Sequence, residues 1–240
     1  MQRNNFYDGI AEFYDRIALG GYCDYKKAIS SLEKILGDKK DVLEVSIGTA
    51  IIGIELAKLG YRVEGVDCSR AMIEIARKKI IEQNLNLPIY EQNIMEMDTG
   101  KTYDAIISHG GFIWHIKDKP LVETYLEDIW EVAKALKRVN MHLRDNGVFA
   151  VNIHQEHDQE LVLPIGDGLF YRQSLVWLGE DSFTKNYYVL HVQLADKVIA
   201  SESSEKVRFQ EKDINELYKS AGFRLPKKDE DGLFLTLIKI

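Results

Sequence analysis

The stretch DVLEVSIGTAIIGIELAKLGYRVEGVD, from Asp41 to Asp67, decides the fold class of the chain. Its first and last segments, VLEVSI and YRVEGVD, are short and rich in β-branched residues, which is typical of buried strands. Between them, apolar residues at helical spacing run up to Gly60, a residue type that commonly ends a helix. The order strand, helix, strand predicts a βαβ unit. Glu44 interrupts the apolar run of the first strand, and a buried carboxylate requires hydrogen-bond donors.

The alternation of strands and helices continues beyond this unit. SRAMIEIARKKIIEQN predicts a helix capped by Ser69, LPIYEQN and YDAIISHGG predict a third and a fourth strand, and GVFAVNIH predicts a fifth strand that starts at Gly147. Before the fifth strand, Asp118 and Pro120 predict the start of a long helix that runs to about His142. Alternating units of this kind form a doubly wound parallel sheet, which binds ligands outside the carboxyl ends of its strands.

The pattern changes after His154. Three β-rich runs follow with no helix between them, LFYRQSLVWLGE, FTKNYYVLHVQLAD and KVIASESSEKVRFQ, and they predict an antiparallel insertion. EKDINELYKSAG then predicts a helix closed by Gly222. The remaining residues predict a strand, a turn at Asp231 and Gly232, and a final strand.

The composition narrows the classes of function. The chain has 240 residues, of which 45% are hydrophobic, enough for a single domain with a full core. A formal net charge of -7 without a dense Lys/Arg cluster argues against nucleic acid as a partner. The N-terminus lacks an apolar leader and no apolar run of about 18 residues occurs, so we expect no membrane association. Cys23 and Cys68 follow no metal spacing, so we expect no metal site and reduced thiols in a cytoplasmic protein, with a disulfide between them as the alternative.

The loop from Ser46 to Ala50 does not match the dinucleotide-binding fingerprint. With Gly48 as the second glycine of G-x-G-x-x-G, the pattern requires glycines at positions 46 and 51, where the chain has Ser46 and Ile51. A β-branched side chain at position 51 stands where helix and strand must pack closely. An NAD(P)-dependent oxidoreductase is therefore disfavoured and is kept as an alternative.

A different pattern fits the same loop. The segment resembles motif I of the class I S-adenosylmethionine-dependent methyltransferases, V-L-[DE]-V-x-x-G-T-[GA], with Glu44 as its acid, Gly48 and Thr49 in place, and Ala50 where the last glycine normally lies. Alanine is the least costly departure from glycine, provided that its φ is not positive. GVDCSRAMIEIA is similar to the second signature of the family, D-x-S-x-x-M-[LI]-x-x-A, and places Asp67 19 residues after Gly48. That distance suits an acid that binds a ribose.

The resemblance extends over most of the chain. YDAIISHGGFIWHI looks like the corresponding strand and loop of the glycine N-methyltransferase type, D-A-[VI]-I-x-x-G-x-x-x-x-H, and the insertion lies where that type and the amino-sugar N,N-dimethyltransferases carry an acceptor-side sheet. FYDGIAEFYDRI resembles the lid of small-molecule methyltransferases, in which Tyr14 closes over the cofactor. Glycine methyltransferases have an arginine after the fifth strand to bind a carboxylate, and NIHQEHD has none. Glycine is therefore doubtful as the acceptor.

The resemblance implies S-adenosylmethionine as the cofactor and S-adenosylhomocysteine as the product. Glu44 is expected to face the ammonium of the methionine part, and Asp67 to accept hydrogen bonds from the ribose hydroxyls. The full set of residues expected to bind the cofactor is Tyr14, Glu44, Ser46, Ile47, Gly48, Thr49, Ala50, Asp67, Cys68, Met72, Asn93, Ile94, Ser108 and His115.

The acceptor end of the site is expected to contain a proton acceptor. A hydroxyl or an ammonium must lose a proton before it attacks the methyl group, and histidine titrates in the useful range. Of His109, His115, His154 and His157, we expect His109 and His154 to be catalytic, because both follow strands at the mouth of the crevice. Three roles stay possible for a set of aromatic residues: the wall of an acceptor pocket, a dimer interface, and plain packing. These residues are Trp114, Tyr171, Trp177, Tyr187 and Tyr188.

The fold expected from the pattern and the resemblance is α/β. It is a Rossmann-like doubly wound, mostly parallel sheet of seven strands, the last antiparallel, with an N-terminal helical lid and an antiparallel β insertion after the fifth strand. Within one domain of residues 1–240, the lid spans 1–40, the cofactor-binding core 41–154, the insertion 155–210, and the final helix and hairpin 211–240. The implied reaction is methyl transfer to a small-molecule amine or hydroxyl by in-line displacement. A non-catalytic cofactor-binding module stays open, as does a homodimer through the insertion.

Overall fold

The computed structural model describes residues 7–156, 160–179, 182–191 and 197–240, with the backbone alone for 182–191. Its centre is a mostly parallel sheet in which strands lie in the order β3-β2-β1-β4-β7, followed by β13 and β12. β13 is antiparallel to β7 and to β12, which confirms the prediction of a parallel sheet with an antiparallel last strand. The seven strands of this core sheet are β1 (Asp41–Val45), β2 (Arg62–Asp67), β3 (Ile89–Glu91), β4 (Tyr103–Ser108), β7 (Leu143–His154), β12 (Lys227–Lys228) and β13 (Phe234–Ile238).

Helices cover both faces of the core sheet. Apolar residues of α2, α3 and α4 pack in one core cluster, and those of α5 and α6 pack in the other, so the sheet is doubly wound. Asp24, Ser69 and Asp128 cap α2, α4 and α5 by accepting hydrogen bonds from backbone N–H groups three residues later. The helices are α1 (Tyr14–Ile17), α2 (Tyr25–Leu36), α3 (Ile51–Lys58), α4 (Arg70–Glu82), α5 (Ile129–Met141) and α6 (Glu211–Ser220). None of the helices described is long and apolar enough to cross a membrane.

A second group of strands extends the sheet beyond β7. β5 pairs with β7 in parallel, and the remaining strands follow in antiparallel order, β6-β11-β10-β9-β8. Short helical turns at Asp8–Phe13 and Ala18–Tyr22 flank α1 and pack against this extension through a third apolar cluster that includes Ile10, Ile17 and Tyr171. The strands of the extension are β5 (Ile113–Ile116), β6 (Leu121–Thr124), β8 (Glu160–Pro164), β9 (Leu169–Trp177), β10 (Ser182–His191) and β11 (Lys197–Gln210).

The long helix predicted from Asp118 is wrong in its first part. Residues Leu121–Thr124 form β6, and the helix begins only at Ile129, after the cap at Asp128. β6 pairs with β5 on one side and with β11 on the other, so long-range pairing overrides the local helix signal. The fourth strand likewise ends at Ser108, earlier than the predicted Gly111, since Gly110 has a φ of 66°.

Candidate active site

The loop between β1 and α3 has an unusual backbone. Ser46, Gly48 and Ala50 have positive φ values of 55°, 57° and 61°. Glycine adopts this conformation readily, whereas a residue with a Cβ loses about 1–2 kcal/mol. The condition under which alanine would replace glycine cheaply is therefore not met at Ala50, and the loop holds backbone strain at the mouth of the sheet.

Asp67 ties this loop to the end of β2. Its Oδ2 accepts a hydrogen bond of 2.7 Å from the backbone N–H of Gly48, and its Oδ1 accepts one of 2.8 Å from the N–H of Ser69. Burial raises the pKa of Asp67, and the backbone donors oppose that shift. Each carboxylate oxygen has a second lone pair, so Asp67 can accept further bonds from a ligand.

Glu44 lies in β1 with only 3% of its surface exposed. Side chains alternate along a strand, and Glu44 shares the face of Val42, which packs in the cluster formed with α2, α3 and α4. The backbone N–H of Gly53 in α3 donates to its carboxyl group, while Oε2 has no partner among the described residues. Burial, with a smaller effect of Asp67, raises the pKa of Glu44 to about 8.

A cavity of about 160 Å³ opens beside these groups. Eleven of the residues expected to bind a cofactor line it: Tyr14, Glu44, Ser46, Ile47, Gly48, Thr49, Asp67, Cys68, Met72, Asn93 and Ile94. His109, expected to be catalytic, lines it as well. The sequence did not point to several other lining residues, among them Tyr7, Tyr25, Gln92, Phe112, Tyr125 and Leu126. Tyr7 lies within the lid pattern, whereas Tyr25 and Tyr125 lie outside the recognised motifs.

The N-terminal segment closes over this cavity through polar contacts. Thr49 donates from Oγ1 to Asp15 at 2.5 Å, and Lys79 of α4 contacts the other oxygen of the same carboxylate at 2.5 Å. Ser69 donates from Oγ to Asp8 at 2.5 Å. These contacts hold the segment that contains Tyr14, whose pKa is raised by burial, and Tyr14 lines the cavity. That Tyr14 closes over the cofactor stays a prediction.

A second cavity of about 60 Å³ adjoins the first. Six residues line both cavities: Tyr7, Tyr14, Tyr25, His109, Gly110 and Tyr125. His154, Tyr22, Trp114, Glu123, Tyr171 and Lys206 line the second cavity alone. The structure thus brings both of the histidines expected to be catalytic to one cavity.

The two histidines differ in their surroundings. The ring of His109 packs between Tyr25 and Phe234, with centroid distances of 5.2 and 5.9 Å, and burial lowers its pKa to about 4. His154 is half-buried, and its ring lies 5.8 Å from that of Tyr22. His109 is consequently neutral at physiological pH and a weak base, so His154 is the better candidate for a proton acceptor.

Three expected cofactor contacts do not line either cavity. His115 packs on the opposite face of β5 from Trp114, where its Nε2 lies 3.0 Å from the Tyr218 hydroxyl and its Nδ1 3.5 Å from a Glu211 carboxylate oxygen. Burial lowers the pKa of His115 to about 4. Ser108 is buried in β4, and Ala50 is buried at the start of α3, where it contributes backbone shape only.

The remaining aromatic and histidine candidates differ in whether they line a cavity. Trp114 and Tyr171 line the second cavity, while Trp177 is 42% exposed near the end of β9. His157 and the side chains of Tyr187 and Tyr188 lie outside the described residues. Cys23 and Cys68 are thiols.

The sequence matches a known family model over the part of the chain that builds the first cavity. Residues 42–147 match the model described as a methyltransferase domain. Residues 42–147 of this chain are a methyltransferase domain, and S-adenosylmethionine is its methyl donor. Over 238 residues the enzyme is 26% identical to the protein named as methyltransferase YqeM of Bacillus subtilis (strain 168), a match covering 94% of this chain and 89% of that protein.

Two solved structures share the fold of this methyltransferase. An S-adenosylmethionine-dependent methyltransferase from Clostridium acetobutylicum ATCC 824 aligns with a TM-score of 0.73 and 20% identity, covering 98% of each chain. The sugar N-methyltransferase KedS8 from Streptoalloteichus sp ATCC 53650 aligns with a TM-score of 0.72 and 19% identity, covering 94% of this chain and 92% of that one. The methyltransferase match leaves no support for the dinucleotide-dependent oxidoreductase.

The first cavity of the methyltransferase suits the cofactor chemically. Glu44 has a buried oxygen without a partner among the described residues, which fits the ammonium of an amino acid moiety. Asp67 has acceptor capacity at the end of β2, which fits a pair of ribose hydroxyls. A Cβ built at Gly48 would meet nothing within 4 Å, so the cavity reaches the backbone there. Tyr14 and Met72 add apolar walls.

Proposed function

We propose that this methyltransferase transfers the methyl group of S-adenosylmethionine to a small-molecule amine or hydroxyl that binds in the second cavity. The observation that carries the proposal is the shared wall of the two cavities, formed by four tyrosines, His109 and Gly110. An acceptor in the second cavity therefore lies next to a cofactor in the first. The second cavity is small, about 60 Å³, which leaves no room for an extended polymer.

We further propose that the eleven expected residues on the first cavity wall hold the cofactor, with Glu44 at the ammonium and Asp67 at the ribose. When bound, the cofactor supplies a methyl group on a positively charged sulfur. The protein contributes alignment of the acceptor, exclusion of water by the tyrosine wall, and a proton acceptor.

His154 is the proposed proton acceptor. A hydroxyl or ammonium acceptor in the second cavity would lose its proton to the imidazole before or during attack. His109, neutral and weakly basic, would orient the acceptor by a hydrogen bond at the wall common to both cavities. The sugar N-methyltransferase KedS8 has the same fold, which supports a small-molecule acceptor here.

Label transfer tests this proposal. The protein is incubated with S-adenosylmethionine carrying a trideuterated methyl group and a panel of small amines, amino sugars, phenols and hydroxy acids. We expect a product heavier by one labelled methyl group together with S-adenosylhomocysteine, and much less product from Asp67→Ala at the same, subsaturating cofactor concentration. Label found only in protein or RNA of a cell extract would contradict a small-molecule acceptor. Cofactor binding without turnover of any panel member would favour the non-catalytic module.

We also propose that the protein associates with itself through the insertion. Val176, Trp177 and Leu178 are consecutive apolar residues with 49%, 42% and 56% exposure at the end of β9. Analytical ultracentrifugation should show a dimer that Trp177→Glu dissociates. Trp130→Glu, at the 79% exposed Trp130 of α5, should leave it unchanged. A monomer at all concentrations would exclude the dimer.

The cytoplasmic location and the division into lid, core and insertion stay predictions.

A further inference from the structure

The second cavity contains a buried cation. Lys206 of β11 is 3% exposed, and its Nζ lies 4.5 Å from the ring centroid of Trp114 and 4.4 Å from that of Tyr125. All three residues line the cavity. Lys206 therefore places its ammonium at the second cavity against two adjoining aromatic rings, which hold a cation without neutralising its charge.

The pairing of strands explains why these groups share one side of the sheet. Glu123 of β6 is opposite Trp114 of β5 and also opposite Arg208 of β11. Lys206 is two residues from Arg208 on the same strand, so its side chain projects to the same face. The arrangement is fixed by backbone pairing across three strands.

Glu123, which lines the same cavity, is paired with Arg208. Oε1 of Glu123 accepts hydrogen bonds from Nε and Nη2 of Arg208, at 3.1 and 2.5 Å. Arg208 also contacts Glu156 at 3.0 Å, and Glu156 is bound by Lys119 as well. Glu123, Arg208, Glu156 and Lys119 thus form one charged network, which reaches the second cavity at Glu123.

A neutral donor accompanies the cation. Trp114 is 3% exposed, and its Nε1 has no hydrogen-bond partner among the described residues. Buried N–H groups are usually paired, so a ligand atom that accepts a hydrogen bond would satisfy it. The ammonium of Lys206 and the indole N–H of Trp114 would both be satisfied by an anion whose oxygen atoms accept hydrogen bonds.

We propose that the acceptor of this methyltransferase is a small carboxylic acid bearing an amine or a hydroxyl, with its carboxylate bound by Lys206. This inference rests on the proposed function, since it places the carboxylate at Lys206 and the nucleophile towards His154 and the first cavity. Lys206 is then a residue that determines specificity.

Binding measured without turnover separates this inference from the proposed function. The protein loaded with S-adenosylhomocysteine is titrated with β-alanine, 4-aminobenzoate and 4-hydroxybenzoate, each beside its primary amide, and binding is followed by ligand-observed NMR. We expect at least one acid to bind and its amide to bind at least about tenfold more weakly, the loss of one charge-assisted contact.

The variants show whether Lys206 is responsible. Lys206→Met keeps most of the apolar stem and removes the charge, and it should weaken binding of the acid about 10- to 100-fold while leaving the amide unchanged. Lys206→Arg should retain the preference for the acid. Lys197→Met, at the exposed start of β11, is the matched control and should have no effect. Melting temperatures confirm that each variant is folded.

Two results would overturn the inference. One is equal binding of acids and amides, or no binding of any acid, by the wild-type protein. The other is an acid preference that persists in folded Lys206→Met. In either case methyl transfer to a neutral acceptor could still be observed in the label-transfer experiment, so the proposed function would stand or fall separately.

Discussion

The carboxylate of Asp67 and the backbone N–H of Gly48 form a hydrogen bond of 2.7 Å that holds the loop after β1 against the end of β2. The same carboxylate binds the N–H of Ser69, at the cap of α4. Asp67 thus shapes the cofactor loop in addition to its proposed contact with the ribose. The two roles can be separated by experiment.

Asp67→Ala should weaken both the fold and cofactor binding. Loss of the bonds to Gly48 and Ser69 should lower the free energy of unfolding by about 1–3 kcal/mol. Loss of bonds to the ribose should reduce the affinity for S-adenosylhomocysteine by about 30- to 1,000-fold in calorimetry. Asp67→Asn, which retains one acceptor oxygen, should lose less, and Asp145→Ala at an exposed site should lose nothing. An affinity within about threefold of wild type would restrict Asp67 to the loop.

The buried carboxyl group of Glu44 should make stability depend on pH. Its pKa in the folded protein is about 8, against an ordinary value of 4.5, so the folded state binds the proton more tightly than the unfolded state. The stability that this proton supplies is complete below about pH 4.5 and is lost as the pH rises to about 8. Glu44→Gln cannot ionise at this position. Relative to this variant, the free energy of unfolding of the wild-type protein should fall by on the order of 3–5 kcal/mol across that range.

Denaturant unfolding without cofactor measures this difference. Comparison with Glu44→Gln is necessary because His109 and His115, with pKa values lowered to about 4, act in the opposite direction below pH 6.5. They contribute equally to both proteins and cancel in the difference. A difference that does not change between pH 5 and 8 would show that Glu44 ionises normally.

Cofactor binding should release the proton of Glu44. At pH 7 a group with a pKa of about 8 is mostly protonated, and an ammonium placed beside it favours the carboxylate. Calorimetry with S-adenosylhomocysteine in phosphate and in Tris, which differ in ionisation enthalpy, should report release of close to one proton. Glu44→Gln should release none. Equal proton release by both proteins would place the ammonium away from Glu44.

The core of the fold could be predicted because its signals are local. β-branched runs, helical spacing and the cap at Ser69 each depend on a few neighbouring residues. They predicted the succession of parallel strands and helices along the chain. β6 could not be predicted from LVET, because four residues suit either a strand or the first turn of a helix. Its conformation depends on pairing with β11, about 85 residues later in the chain.

Most of the expected residues on the wall of the first cavity could be predicted for the same reason, whereas the wall of the second cavity was predicted only in part, through residues such as His109 and His154. Glu44, Gly48 and Asp67 belong to contiguous motifs. Lys206 and Tyr125 reach the second cavity through pairing of distant strands. His115 illustrates the limit of motif spacing, because alternation along β5 directs Trp114 to the cavity and His115 to α6.

Gly53 has a role that the helical pattern does not reveal. A Cβ built at this position in α3 would lie 2.8 Å from Oε2 of Glu44 and 3.1 Å from Cδ1 of Ile47. Helix propensity alone predicts that Gly53→Ala stabilises by up to about 1 kcal/mol. We expect Gly53→Ala instead to lower the free energy of unfolding by about 1–3 kcal/mol, because the crowded carboxyl group of Glu44 must move.

A double-mutant cycle checks the cause. In a Glu44→Ala background the penalty of Gly53→Ala should shrink, since the closest crowding atom is gone, and urea unfolding of the four proteins measures the coupling. Stabilisation by Gly53→Ala in the wild-type background would mean that the space around Glu44 is larger than the structure shows.

His154 and His109 should contribute unequally to proton transfer. His154→Gln should lower kcat for a hydroxyl or ammonium acceptor by about 100-fold or more, because general-base assistance is lost. His109→Gln should lower it by less than about tenfold, because an imidazole with a pKa of about 4 removes protons poorly at neutral pH. The pH dependence distinguishes a base from a structural residue. If His154 is the base, the His154→Gln enzyme should recover rate as the pH passes the pKa of the acceptor, since the nucleophile then forms in solution. No recovery, or an equal loss in His109→Gln, would argue that His154 only shapes the second cavity.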